Sequence, residues 1–563
     1  MNYPAPSFDE IAPSEPRLEA VKARYDKIVE ALREGRPLSE HIETMKEWDA
    51  LRREIDTWTS WAQLRFHQDT ADEERKKARE RSDELRPKFE EQDKRVKTAL
   101  LEHDKRDELE EHFGNQAFEL WEASVRTFDP SIEELLIEES RLRAEYTSLR
   151  SSAEIEFQGE TYNLSGLAKF SSDADRKVRH AASKARWGWF EENADELDEI
   201  YDKLVDVRTK MARELGYDNY EGMGYDRMHR IDYDREDVET FRAEVRRLIV
   251  PLVGEIRKKQ AETLGIDKVM AWDEGIYDPK GNPKPQGDRA WMVEQAYEMF
   301  DHVSDDLHEF YSMMVDLNML DLDNRPTKAG GGFCTAFPEW GIPFIFANFN
   351  GTKHDASVFT HEMGHAFQVW SSREQPLYDY LWPTLESCEI HSMSLEYLVS
   401  PKLDVFFGDR TEDFRRIHLL ENLLFLPYGC AVDHFQHLVY QNPDATPDER
   451  AEFWQQMEEM YLPSRDYGDL PHVSSGRLWQ GQLHIYEVPY YYIDYTLAET
   501  CALQFWVRSR EDYEQAVEDY TALCKRGGSL PFNELAKSAG LSSPFARGSL
   551  ERVVDAAREE LDI

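Results

Sequence analysis

The sequence predicts a mainly α-helical fold, and three features predict it. Apolar residues recur at helical spacing through long charged stretches, strand-like runs are confined to a few short segments, and a metal-binding pattern sits in an apolar stretch without proline. From Arg17 onward, Leu18, Val21, Tyr25, Ile28 and Leu32 mark one apolar stripe, and Gly35 supplies its stop. Residues Glu73–Glu111 are dense in Glu, Lys and Arg with sparse apolar positions, which predicts long helices with solvated faces. Phe157–Asn163 interrupts this pattern as a small hairpin or loop. Around Gly216–Asp232 glycines and tyrosines replace the charged runs, so a domain boundary is expected near 205, dividing an amino-terminal helical lobe (1–204) from a catalytic domain (205–563). Gly265–Pro285 reads as a surface excursion, and Ala296, Phe300, Val303, Leu307, Phe310 and Met314 mark one further helix. After the triplet Gly330–Gly332, the segments Phe333–Phe337 and Ile342–Asn348 look like short strands beside a turn. No helix opens directly behind the triplet and no Gly-Lys-Ser/Thr follows it. A loop touching substrate therefore fits better than a phosphate loop.

Composition narrows the functional classes. At 563 residues the chain is long enough for two or three domains, and 40% hydrophobic with 12% aromatic residues fills a large core. No run approaches the roughly 18 apolar residues of a spanning helix, and Met1–Glu10 lacks the basic start and apolar stretch of a secretory signal. A cytoplasmic protein without membrane partners is expected. The five cysteines, Cys334, Cys388, Cys430, Cys501 and Cys524, form no C-x-x-C pair, so reduced thiols are expected rather than disulfides. A formal charge of −44, from 112 acidic and 68 basic residues, argues against nucleic-acid partners and suits a high-salt habitat.

The chemistry concentrates at His361-Glu362-Met363-Gly364-His365. This is an H-E-x-x-H pattern: in a helix, residues i and i+4 share a face, so His361 and His365 can hold one Zn²⁺ while Glu362 works on a water. The flanking residues, apolar on more than one face, predict a buried helix capped near Thr352 or Asp355. Such a helix would carry two imidazoles and a carboxylate at a cost unless they had partners. A catalytic zinc takes three protein ligands and keeps one position open. Leu385–Leu398, again at helical spacing, offers Glu386, Glu389, Glu396 and His391, and chemistry alone leaves the choice among them open.

Three stretches together, the run Phe349–Asp355, the motif with a glutamate about 25 residues on, and Gln482–Tyr495, resemble the oligoendopeptidase F and thimet oligopeptidase family of zinc metallopeptidases, in a branch like the Pz-peptidases. The resemblance is specific over roughly 325–500. It implies a two-lobed helical metallopeptidase with a deep central channel, a small β-sheet beside the motif helix, and one catalytic Zn²⁺. It implies Glu389 as third ligand ahead of Glu386, because Glu389 is followed seven positions later by Glu396, and it implies Glu362 as general base. Glu396 and Ser392 are candidates to support the ligands from behind, His354 and His391 read as structural, and Cys388 as a small buried hydrophobe. His484, Tyr492 and Tyr495, with Tyr491 beside them, are implied to bind the oxyanion and substrate backbone, and Pro489 is expected to open the helix carrying the tyrosines. One departure stands out: the family commonly has a histidine, not a ligand, where this chain has Gln368. The expected activity is endopeptidase cleavage of oligopeptides. A helical zinc carboxypeptidase and a catalytically silent peptide-binding protein are the rivals.

Overall fold

The computed structural model describes residues 5–325 and 327–563. It is mainly α-helical, with one two-stranded and one three-stranded sheet among the described residues. Among the described residues, no helix is long and apolar enough to cross a membrane. Contact density divides the chain into two compact units: residues 1–125, 284–411 and 501–542 form the first, and 126–283, 412–500 and 543–563 the second. The expected boundary near 205 falls inside a helix, Ala194–Glu214, that lies wholly within the second unit. A change in composition marks local chain character, whereas these units are assembled from separated segments.

In the first unit, the stripe expected at Leu18 is the helix Leu18–Arg33, with Val21, Tyr25, Ile28 and Leu32 buried. It stops because Glu34 turns extended (ψ 146°), one residue ahead of the expected Gly35. The charged segment forms helices Glu73–Leu101 and Arg106–Phe113, and most of its few apolar residues, including Leu85, Phe89, Val96 and Leu100, are buried. They close a core around Trp48, Trp58 and Trp121. Within this core the Arg52 guanidinium lies 3.7 Å from the Trp48 ring and pairs with Asp379 at 2.7 Å, so a charge is buried only with its counter-ion. The expected single helix across 296–314 is two, Arg289–Val303 and Asp305–Asp316. Ser304 breaks it: its backbone is extended (φ −168°) and its hydroxyl accepts the Leu307 N–H as an N-cap. Apolar spacing ran through the break because both helices face one core.

The second unit holds a hairpin, β1 (Ile155–Phe157) and β2 (Glu160–Tyr162), where the break in pattern was expected. Gln158 and Gly159 carry φ of 53° and 85°, the positive pair that a tight two-residue hairpin turn requires. Its long helices are pinned by buried ion pairs: Arg208 with Glu139 at 2.7 Å and Arg242 with Asp433 at 2.7 Å.

The small sheet belongs to the first unit. Its strands β3 (Leu320–Asp323), β4 (Phe333–Phe337) and β5 (Ile342–Phe349) run in the order β3-β5-β4, with β3 parallel and β4 antiparallel to β5. Central β5 is apolar and almost wholly buried, as a strand covered on both faces must be. Between β3 and β4, the side chain of Lys328 is buried, its Nζ donating to Asp321 Oδ1 at 2.9 Å and the Asp323 carbonyl at 2.8 Å.

Candidate metal centre

β5 leads through three residues into the helix Lys353–Ser372, which carries the motif. Gly351 makes the turn with φ +80°, and Thr352 is the N-cap by backbone geometry without a capping side-chain bond. The buried Asp355 carboxylate instead accepts the N–H groups of Asn350 at 3.0 Å and Gly351 at 2.7 Å, locking the turn to the first helical turn. A second helix, Leu385–Leu398, crosses the first at Gly364. A Cβ there would lie 2.6 Å from the His391 carbonyl oxygen and 2.6 Å from Ser392 Cα, so only glycine permits this approach.

That crossing brings His361, His365 and Glu389 together, each offering one ligand atom within 4.8 Å of the others. Glu389 Oε2 stands 3.2 Å from His361 Nε2 and 3.4 Å from His365 Nε2. Ligand atoms bonded tetrahedrally to one zinc at about 2.0–2.1 Å are separated by about 3.3–3.4 Å, so both carboxylate–imidazole distances fit a zinc ion. The electrostatics favour a cation as well. Burial opposes the charge on Glu389, but His365 and His361 outweigh it and hold the carboxyl well below the usual range. Burial likewise disfavours a charged His361, yet Glu389 and Glu396 raise that imidazole well above its ordinary value.

Behind the donors, Glu396 Oε1 lies 2.9 Å from His361 Nδ1, and the Ser392 hydroxyl donates to Glu389 Oε2 at 2.9 Å. The first contact orients the ring so that Nε2 faces the centre; the second holds the carboxylate. Glu362 is buried next to the donors, and burial pushes its carboxyl above the ordinary range against the pull of His361 and His365. A Cβ on Gly332 would lie 3.8 Å from Glu362 Oε1, so the glycine triplet runs beside this carboxylate.

The other candidates are placed elsewhere. Glu386 is buried and accepts the Thr384 hydroxyl at 2.8 Å, His391 Nδ1 lies 2.7 Å from the Ser387 carbonyl, and His354 is exposed on the first turn. Gln368 is fully buried and donates to Ser372 Oγ and the Leu381 carbonyl, both at 2.9 Å, which ties the motif helix to the following loop. Burial raises the Cys388 thiol well above its usual value, and it donates to the Pro383 carbonyl at 3.3 Å, as a small buried side chain should. All five cysteines are free.

The second unit gathers the remaining expected residues. His484 sits on a short helix, Leu483–Glu487, with its ring 5.0 Å from that of Tyr492 and 5.7 Å from those of Tyr491 and Tyr495. The tyrosine helix begins at Tyr492 rather than at Pro489, because Tyr490 adopts φ +68° and breaks the path. Gln436 Oε1 accepts the Tyr490 N–H at 3.0 Å, and the buried Arg230 bonds the Tyr490 carbonyl and Asp494. Burial, with Tyr428 and Tyr495 nearby, lifts the Tyr492 phenol well above its ordinary value, so it stays a proton donor.

Sequence reasoning missed Gly364 as the crossing point; it named Asp355 as a cap and the glycine triplet as a substrate loop without their partners, the Asn350 and Gly351 N–H groups and Glu362. Gly364 carried a legible signal, since glycine within a helix costs about 1 kcal/mol and calls for a packing reason.

A helical protein with two histidines and a glutamate gathered on crossed helices, and a second buried carboxylate alongside, has the build of a metallopeptidase. The model of peptidase family M3 matches residues 170–554, and that of the peptidase M3 N-terminal domain matches residues 8–128. The chain belongs to peptidase family M3. It is similar to a solved Pz peptidase A with inhibitor, at 42% identity over 99% of both chains and a TM-score of 0.94. It is also similar to a structure under the name oligoendopeptidase F, at 44% identity over 99% of both chains and a TM-score of 0.94. A third, assigned to oligoendopeptidase F from Bacillus anthracis, shares 40% identity over 99% of this chain and 98% of its own, at a TM-score of 0.89. No match was found among curated proteins. The protein is thus a peptidase of the metallo-oligopeptidase kind.

Proposed function

We propose that the protein is a zinc-dependent endopeptidase that hydrolyses internal bonds of short oligopeptides in cytoplasmic peptide turnover. The observation that carries this reading is the convergence of His361, His365 and Glu389, with Glu389 Oε2 at 3.2 and 3.4 Å from the two imidazole nitrogens and Glu362 buried beside them. These three residues would hold the ion, which when bound supplies Lewis acidity and a water of near-neutral pKa. Glu362 takes the proton of the attacking water and passes it to the leaving amine, a role its buried position beside the donors supports. His484, Tyr492 and Tyr495 donate hydrogen bonds to the developing oxyanion and the substrate backbone. All the residues given chemical roles follow position 205, which is the sense in which we retain a catalytic region over 205–563.

The test is mass analysis of a defined peptide with a blocked carboxyl terminus, digested with and without chelator. Internal fragments that vanish with chelator are expected. Failure to cut the blocked peptide, with single residues removed from the carboxyl end of the same peptide left unblocked, would indicate a carboxypeptidase. No cleavage by zinc-loaded protein would indicate a peptide-binding protein without catalysis.

A further inference from the structure

The side chain of Gln482 lies between two residues of the second unit. The Tyr428 hydroxyl donates to Gln482 Oε1 at 2.9 Å, and Gln482 Nε2 lies 2.8 Å from His484 Nδ1. Gln482 is the extended residue immediately before the His484 helix, so its amide lies against the first helical turn. Tyr428 reaches the same group of rings a second way, its ring standing perpendicular (88°) to Tyr492 at 5.8 Å. Burial lifts the Tyr428 hydroxyl to about 12, so it remains protonated and able to donate.

An amide nitrogen has hydrogens to give and no lone pair to accept with. With Oε1 engaged by Tyr428, the amide presents N–H to Nδ1, and Nδ1 must accept. The hydrogen of a neutral imidazole then resides on Nε2. We infer that Gln482, oriented by Tyr428, fixes His484 as the tautomer protonated on Nε2 and is thereby a positioning residue of this peptidase. The functional half of the inference rests on the oxyanion role proposed for His484; the tautomer itself does not. An oxyanion needs a donor aimed at it, and the opposite tautomer would offer Nε2 as an acceptor. The opposite arrangement would require the amide turned over, with Oε1 accepting from Nδ1–H and Tyr428 receiving a hydrogen bond.

The experiment has two arms on the zinc-loaded full chain. In protein labelled with ¹⁵N-histidine, with the His484 signals identified by their loss in His484→Leu, Nε2 is expected protonated and Nδ1 not. A proton on Nδ1 overturns the inference. In kinetics, Gln482→Leu should lower kcat roughly tenfold with KM and zinc content unchanged, and Tyr428→Phe should act in the same direction but less. Adding Gln482→Leu to His484→Leu should cost nothing more, because the two substitutions remove one device. An equal cost in both backgrounds means that Gln482 acts through packing, and it overturns the positioning role. If His484→Leu leaves kcat intact, the oxyanion reading of His484 fails on its own, while the ¹⁵N spectrum still decides the tautomer.

Discussion

Glu362 and Glu396 sit in one centre, both carboxylates, and do different work because of what each faces. Glu362 is buried beside the donors but is not one of them, so Glu362→Gln should retain zinc and lose roughly 10²–10⁴-fold in turnover. Metal analysis beside a quenched-peptide assay checks this, and unchanged turnover would refute the general-base role. Glu396 instead touches the remote nitrogen of His361, so its loss acts through the imidazole. Glu396→Gln should weaken zinc roughly 10–100-fold, read by competition with a chelator of known affinity, with turnover restored at saturating zinc. A turnover defect that persists at saturation would place Glu396 in the chemistry instead. At this scale the sequence was informative where spacing encodes geometry, as in His361 and His365 one helical turn apart. Spacing was silent on which of Glu386, Glu389 and Glu396 meets them, and only the family resemblance favoured Glu389. All three lie on one helix, and the choice depends on how that helix crosses the other.

Among the elements, the crossing of Lys353–Ser372 with Leu385–Leu398 does most to shape the centre. Gly364 sets its closeness, and the contacts facing it are backbone atoms that cannot swing aside. Gly364→Ala should push Glu389 away from the histidines, lowering the melting temperature by the equivalent of about 1–3 kcal/mol and weakening zinc retention. Alanine is the better helix former, so a more stable variant with normal zinc would show that the crossing is slack. The two-helix correction at Ser304 and the late start of the tyrosine helix have a common cause. Apolar periodicity reports which face is buried, whereas a break is set by single backbone torsions such as those of Ser304 and Tyr490.

On the scale of the whole molecule, net charge and two histidines, His472 buried and His434 partly so, bear on the response to solution conditions. The net charge of −44 repels itself, and raising salt from about 0.1 to 1 M shortens the screening length from about 10 to 3 Å. The melting temperature should rise over that range, and a flat profile would remove the high-salt reading. Acid should act through His434 and His472, whose pKa values are lowered to about 4. Burial is the main cause for both, seconded by Arg242 for His434 and by Arg477 for His472. The unfolded chain protonates these groups near 6.5, ahead of the folded one, so their stabilising effect is full above 6.5 and is lost as pH falls toward 4. The double variant His434→Gln/His472→Gln should therefore lose less melting temperature between pH 6.5 and 4 than the parent. An identical acid loss in both would assign the effect to other groups.

The sequence by itself determined the mainly helical fold, the small sheet ahead of the motif, the absence of disulfide spacing, and His361, Glu362 and His365 as one helical face. Each of these follows from local periodicity or from residue types at fixed spacing. The resemblance implied Glu389 as ligand and Glu396 as its support, but only the tertiary structure brought Glu389 to face the histidines and Glu396 to His361, and only it decided that Gly364 permits the crossing and that Tyr428 holds Gln482 against His484. These are contacts between segments up to 54 residues apart along the chain. Their partners are chosen by the packing of whole elements, which one-dimensional spacing does not encode.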